Sequence, residues 1–230
     1  MKYQLMNKKY VFTKECKKLL DGTVVHRIKA LRDFGHVKKG DLGGWIESED
    51  NLSHDGNCWV FDEAEACGNA EVSGEAKVYG KARVFGNALV YGKAEVYDEA
   101  WVYCNAEVSG EACVYDKAVI NDRAYVYDKA RVCGDARVCG AAEIGGNAVV
   151  KSICDYTVFK NTWSSGRWFT YTSSNKMWSV GCFYGTGKEL IAKAKKDSKL
   201  SGKCYALIVK AAEALDKCKA VRKRVKVSKP

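Results

Sequence analysis

Glu75-Ala76-Lys77-Val78-Tyr79-Gly80, Lys81-Ala82-Arg83-Val84-Phe85-Gly86 and Asn87-Ala88-Leu89-Val90-Tyr91-Gly92 are three consecutive hexads that share an Ala, a Val and a Gly at fixed positions. The unit runs from Ala64 to Val150. Alanine returns at every sixth position through Ala148, and Val or Ile follows two residues later, with Ala66 in that place in the first unit. Two further on comes Gly or Asp, with Cys104 as an exception. So strict a hexad means one short unit stacked on copies of itself. Alternation along an extended chain sends Ala and Val to one side and the residues between them to the other. Two small inward residues per unit predict a narrow tube.

The outward residues predict how many hexads make a coil. Sorted at a spacing of 18, one corner reads Glu63, Lys81, Glu99, Lys117 and Asp135, and a second reads Glu75, Lys93, Glu111, Lys129 and Asn147. The sign alternates along both rows. The third corner reads Asn69, Asn87, Asn105 and then Arg123. Three hexads per coil would set opposite charges about 4.8 Å apart on successive turns and would let the asparagines form an amide ladder. The same sorting gives an aromatic row, Phe61, Tyr79, Tyr97 and Tyr115, with Phe85 and Tyr103 on another corner. Such rings either cover backbone between coils, at about 0.5–1.5 kcal/mol per pair, or form a contact face. In the second case Tyr79, Tyr97 and Tyr115 are the self-association residues.

Val78-Tyr79-Gly80-Lys81-Ala82-Arg83 and its neighbours resemble the repeat of left-handed β-helix proteins, which are triangular parallel solenoids, commonly trimeric, best known as acyltransferases. The resemblance spans residues 58–151. It departs in placing Tyr, Phe or Ser directly after the inward aliphatic, with Gly displaced by one. The lead-in Lys38-Lys39-Gly40-Asp41-Leu42-Gly43-Gly44-Trp45-Ile46-Glu47-Ser48 and the tail Val180-Gly181-Cys182-Phe183-Tyr184-Gly185-Thr186-Gly187 are similar to hexapeptide-repeat proteins of bacteriophages and prophages. That resemblance implies a homo-oligomer, with a trimer favoured, working in the host cytoplasm. By analogy it also implies binding or sequestration of an anionic host molecule, of nucleotide type, or of a host defence protein.

The fold expected is therefore mainly β, in three parts: an N-terminal β cap over 1–45, a parallel solenoid over 46–153 and an aromatic-rich α+β module over 154–230. Charge divides along the same lines. The first part carries 11 Lys/Arg against 4 Asp/Glu, the solenoid 10 against 19 and the last part 17 against 5. Basic ends on an acidic shaft suit an anionic ligand or partner, while nucleic acid is supported only by a short basic tail, Lys217 to Lys229. No apolar run approaches the roughly 20 residues of a membrane helix, and no signal-peptide core follows Met1. Eleven scattered cysteines without a CxxC pair read as reduced thiols rather than a disulfide frame or zinc site. No cofactor motif is present, and neither a cofactor nor a metal is expected.

Catalysis by acyl transfer would need a base, and imidazole suits it because its pKa lies near neutrality. The chain has His26, His36 and His54, none between Ala64 and Val150. His54 falls in the inward slot of the hexad before the strict repeat and is expected to serve as a capping or core residue. No catalytic residue is assigned, and the chain is read as a binding protein, with acyl transfer and a self-assembling structural role as alternatives.

Candidate ligand contacts lie at the basic ends. Arg27, Lys38 and Lys39, with Arg32 and His36, surround a glycine-rich turn that also brings Trp45 and Ile46 over the first coil as a lid. In the last part, Arg167, Trp168, Tyr171, Lys176 and Trp178 either stack a base or form a core. Strands are expected at 3–12 and 23–31, then at about 156–162, 167–172 and 176–183. Thr186-Gly187-Lys188-Glu189 is a capping box, which starts a helix to about Ser198. A second helix, about 202–220, should bury Tyr205, Ile208, Ala212 and Leu215.

Overall fold

A computed structural model describes residues 8–227, with side chains to Cys218. The hexads form six coils of a three-sided parallel β-solenoid. Each hexad contributes one two-residue strand, β4 (Trp59–Val60) to β19 (Val149–Val150), and every strand pairs in parallel with the strand 18 residues away. One sheet carries Ile46, Ala66, Val84, Val102, Ile120 and Val138 inward, and the other two carry matching sets. Every inward residue from Ala76 to Val150 is fully buried. The tube is an unbroken column of Ala and Val methyls, filled to the density that small side chains allow.

The coil turns at each hexad because the hexad's last residue adopts a positive φ. Glycine does this without penalty at Gly74, Gly80, Gly86, Gly92 and Gly110. Asp62, Asp98, Asp116, Asp122 and Asp128 occupy the same corners at φ between 50° and 60°. L residues pay for this conformation, and the aspartates are compensated. Each carboxylate accepts the backbone N–H of the corner one coil on, from Asp62 to Gly80 (3.1 Å) through Asp128 to Gly146 (3.1 Å).

The outward rows partly follow the charge sorting. Asn69 donates to Asn87 and Asn87 to Asn105, both at 3.0 Å, as the amide ladder requires. Lys93 and Lys129 flank Glu111 at 3.8 and 3.7 Å. On the other charged corner no ion pair joins Lys81, Glu99, Lys117 and Asp135, and Glu63 is instead held by Arg27 at 2.8 Å. The tyrosines stack: Tyr79 on Tyr97 at 4.7 Å, Tyr97 on Tyr115 at 5.0 Å and Phe85 on Tyr103 at 4.8 Å, all within 2° of parallel.

The N-terminal cap differs from the expected lid. Trp45 and Ile46 belong to β3 (Leu42–Ile46), which is the first rung of a solenoid sheet, with Ile46 opposite Ala66. The covering is done by the hairpin β1 (Tyr10–Lys18) and β2 (Val24–Ala30), which extends that sheet antiparallel beyond β3. The part of the expected first strand before residue 8 lies outside the described residues. Tyr10, Ile28 and Phe34 close over Trp59, which faces outward from its strand yet is fully buried.

His54 is not in the inward slot. The first coil is two residues longer than the rest, so Leu52 pairs opposite Val72, and His54 sits in the extra loop. Its ring stacks on Tyr10 at 4.4 Å and its Nδ1 accepts the Lys9 N–H at 3.2 Å. It is a capping histidine. Burial holds its pKa below the usual value, against the smaller opposing pull of Glu49. A base whose folded pKa is depressed binds its proton more readily unfolded, so stability falls as pH drops through about 6.5. The protection of the Lys9 amide, its exchange rate relative to the intrinsic one at each pH, is expected to fall as pH drops from about 7 to 5.5, and a His54→Phe variant to lose that pH dependence.

The C-terminal module has four antiparallel strands, one more than expected: β20 (Tyr156–Lys160), β21 (Trp168–Thr172), β22 (Met177–Val180) and β23 (Phe183–Thr186). Two helices follow, α1 (Gly187–Asp197) and α2 (Lys199–Val227). The Thr186 hydroxyl caps α1 by accepting the Glu189 N–H at 3.3 Å, and Glu189 returns the contact to the Thr186 N–H at 2.8 Å. On α2, Val209 and Ala212 are buried, whereas Leu215 is 48% exposed, contrary to expectation.

The end coils of a parallel solenoid have strand N–H and carbonyl groups with no neighbouring strand to pair with. Side chains of the flanking parts meet several of them at both ends. At the start, Lys9 Nζ donates to the Cys58 carbonyl (2.9 Å) and Tyr10 Oη to the Leu52 carbonyl (2.8 Å). At the finish, Glu143 N–H donates to Thr170 Oγ1 (2.9 Å), Val149 N–H to Ser174 Oγ (2.8 Å) and Lys151 N–H to Asp155 Oδ2 (2.9 Å).

Candidate functional site: a cleft beneath the Gly35–Val37 loop

A concavity that two separate parts of the chain build together lies where the cap meets the solenoid. The bridge between Phe34 and Val37 makes a tight loop, with N–H to carbonyl bonds of 3.0 and 2.8 Å in both directions, and Gly35 turns it at φ 49°. This loop overhangs one sheet of the shaft. The space beneath is about 260 Å³ and is lined by Gly35, His36, Val37, Asn57, Phe61, Glu75, Lys77, Lys93 and Glu95. That is slightly below the usual range for small-molecule pockets.

Its carboxylates are already engaged. Asn57 Nδ2 donates to both oxygens of Glu75, at 3.1 and 2.9 Å. Glu95 accepts from Lys77 at 3.1 Å and from the Tyr79 hydroxyl at 3.2 Å, and that carboxylate and burial together push the Tyr79 hydroxyl's pKa up. Lys93 keeps only the long 3.8 Å contact with Glu111. His36 is exposed and makes no hydrogen bond among the described residues. A ligand entering the cleft would meet an ammonium, an imidazole and the Phe61 ring.

The residues singled out from sequence are dispersed. Lys38 and Lys39 follow directly on the loop. Lys38 pairs with Asp33 at 3.3 Å, and the Lys39 N–H donates to Asp33 Oδ1 at 2.8 Å. Arg27 lies away from the cleft, against Glu63 and 5.1 Å from the Trp45 ring centre. At the other end, Tyr171 and Trp178 are core residues, 2% and 0% exposed. Tyr171 Oη reaches Asp216, which also binds Lys176. Trp168 is 42% exposed with Lys160 over its ring. Arg167 borders a small notch of about 50 Å³ with Lys193, Phe183 and Tyr205. The structure does not bring these five together on one surface. The sequence missed Asn57, Lys77, Lys93 and Glu95 as a group because they meet the Gly35–Val37 loop only across the fold. The 18-residue sorting places Asn57, Glu75 and Lys93 on one corner and is the signal that could have found part of the set.

The fold defines a hexapeptide-repeat β-solenoid. No established protein family matches the chain. A stretch of 62 residues is 34% identical to an uncharacterized acetyltransferase, YdcK, of Escherichia coli (strain K12). The match covers 27% of this chain and 19% of that protein. No helix among the described residues is long and apolar enough to cross a membrane.

Proposed function

We propose that the chain is a non-catalytic hexapeptide-repeat scaffold that holds a small anionic ligand, of nucleotide type, in the cleft beneath the Gly35–Val37 loop. The observation that carries this is how the polar groups of the lining are engaged. Glu75 is hydrogen-bonded by Asn57 and Glu95 is paired with Lys77, which leaves Lys93, with only its long contact to Glu111, and His36 as the groups placed to meet a ligand. Lys38 and Lys39 add positive potential at the rim. Sequestration of a host nucleotide by a cytoplasmic, homo-oligomeric bacteriophage protein, as a trimer, is the finer form of the same proposal and rests on the sequence resemblance.

Acyl transfer is the second reading. The acetyltransferase match and the placement of His36 in the cleft favour it. Against it, no carboxylate or carbonyl orients the His36 ring, as a general base requires.

A thermal-shift panel of mono-, di- and cyclic nucleotides separates the two. Binding should raise the melting temperature with at least one member, an increment of about 2.7 kcal/mol at a hundredfold excess over Kd, and Lys93→Glu should remove the shift. Release of CoA from acetyl-CoA, lost in His36→Ala, would establish the enzyme instead. No shift with any nucleotide would refute the ligand class proposed.

A further inference from the structure

Helix α2 has two apolar faces, and its own module uses one. Gly202, Val209 and Ala212 are buried, and Tyr205 packs edge-on against Phe169 at 4.8 Å. Gly202, Val209 and Asp216 follow one another at seven-residue steps and mark the inward side.

The outward side repeats on the same period. Counting by sevens from Leu200 gives Leu207 and Ala214, and counting from Cys204 gives Ala211 and Cys218. The two rows alternate at spacings of four and three, which is the seam of a coiled coil. All six positions are apolar. Leu200 and Leu207 are 61% and 69% exposed, and Ala211, Ala214 and Cys218 are exposed as well. Leu215 widens the strip. A helix that packed only on its own sheet would carry one apolar stripe and a polar back, so the second stripe calls for a second partner.

Charge indicates what covers it. Lys203, Lys210 and Lys217 border the seam at every seventh residue. Among the described residues none of the three lysines is in an ion pair. The helix has two acids, Glu213 and Asp216, neither of them on the seam, and Asp216 is already bound by Lys176 and Tyr171. Two copies packed antiparallel would set lysine row against lysine row. Packed parallel, they would set it against Ile208 and Leu215, with no acid to neutralise it. A helix with acidic flanks meets both the apolar rows and the lysine row.

We propose that the exposed heptad seam of α2 is a docking site for an amphipathic helix of another protein whose flanking positions are glutamate or aspartate. This surface is separate from the cleft, and each can fail without the other.

The test uses the full chain and a labelled four-heptad peptide with leucine at the seam positions and glutamate at the flanks, against the same peptide with lysine at the flanks. The glutamate peptide is expected to bind saturably and more weakly as salt is raised, and the lysine peptide not to bind. Leu207→Glu should raise Kd at least tenfold with an unchanged melting temperature, because that side chain is exposed in the free protein. Failure of the glutamate peptide to bind, or equal binding of both peptides, would overturn the proposal. So would sedimentation of the wild type as an oligomer that Leu207→Glu converts to monomer, since the occupant would then be a second copy.

Discussion

Replacing Trp59 by alanine is expected to destabilise the N-terminal end of the molecule by about 3–5 kcal/mol while leaving the distal coils protected. Trp59 is fully buried on the outer face of its strand, in a core that lies outside the tube. Its ring meets Phe34 at 5.2 Å, Tyr10 at 6.0 Å and Phe61 at 6.5 Å, all edge-on. Gly43 lies flush against it, so close that a Cβ there would be 2.6 Å from the indole. Removing the indole leaves a cavity walled by the hairpin on one side and a rigid sheet on the other, with little freedom to collapse. Stacked repeats interact with their neighbours only, so the loss should stay local. Hydrogen exchange should show the β1–β2 hairpin and first coil opening faster, with amides of Tyr97 to Tyr127 unchanged. Uniform loss of protection along the shaft would contradict it.

The second expectation concerns the corners. Asp116→Ala should cost about 1–3 kcal/mol and Asp116→Gly close to nothing. The alanine keeps a left-handed φ of 59°, strained for any side chain. It also removes the carboxylate that accepts the Gly134 N–H at 2.8 Å, at the cost of a lost charge-assisted bond. Glycine loses the same bond but relieves the strain. Denaturant midpoints of the two variants, compared with wild type, decide the matter. Equal midpoints for the two variants would mean that relief of the left-handed strain carries no weight, since both have lost the inter-coil bond.

The shaft was legible because its physics is periodic. Ala and Val inward, a turn residue at the corner and outward residues that sort at 18 all point to one answer, and the Asn69–Asn87–Asn105 ladder is where sequence and structure agree residue by residue. Legibility ended where the period breaks. Ser53-His54-Asp55-Gly56-Asn57 imitates a hexad, yet the first coil holds two extra residues and Leu52 takes the core position. The hairpin cap could not be placed, because Trp45 and Ile46 look equally like a lid and like a first rung. On α2 the choice of Leu215 over Val209 as a buried residue failed because a helix apolar on two sides offers two stripes, and periodicity does not say which one is inward. Of the cleft, His36, Lys38 and Lys39 were visible as a basic loop. The side chains beneath them come from positions some 20 to 60 residues further on, which only the closed fold brings close.

Both ends of the shaft are covered by the flanking parts. The Cys58 and Leu52 carbonyls are answered by Lys9 and Tyr10 at one end, and the Glu143, Val149 and Lys151 N–H groups by Thr170, Ser174 and Asp155 at the other, so at these positions the end coils offer no bond to another copy. The solenoid is thus a strut of set span rather than a segment of a fibre. Its six turns, at about 4.8 Å each, hold the loop at Gly35–Val37 and the helices after Thr186 at a constant separation. Adding or removing one 18-residue turn would change that separation by a single strand spacing, which makes the number of alanine hexads the protein's ruler.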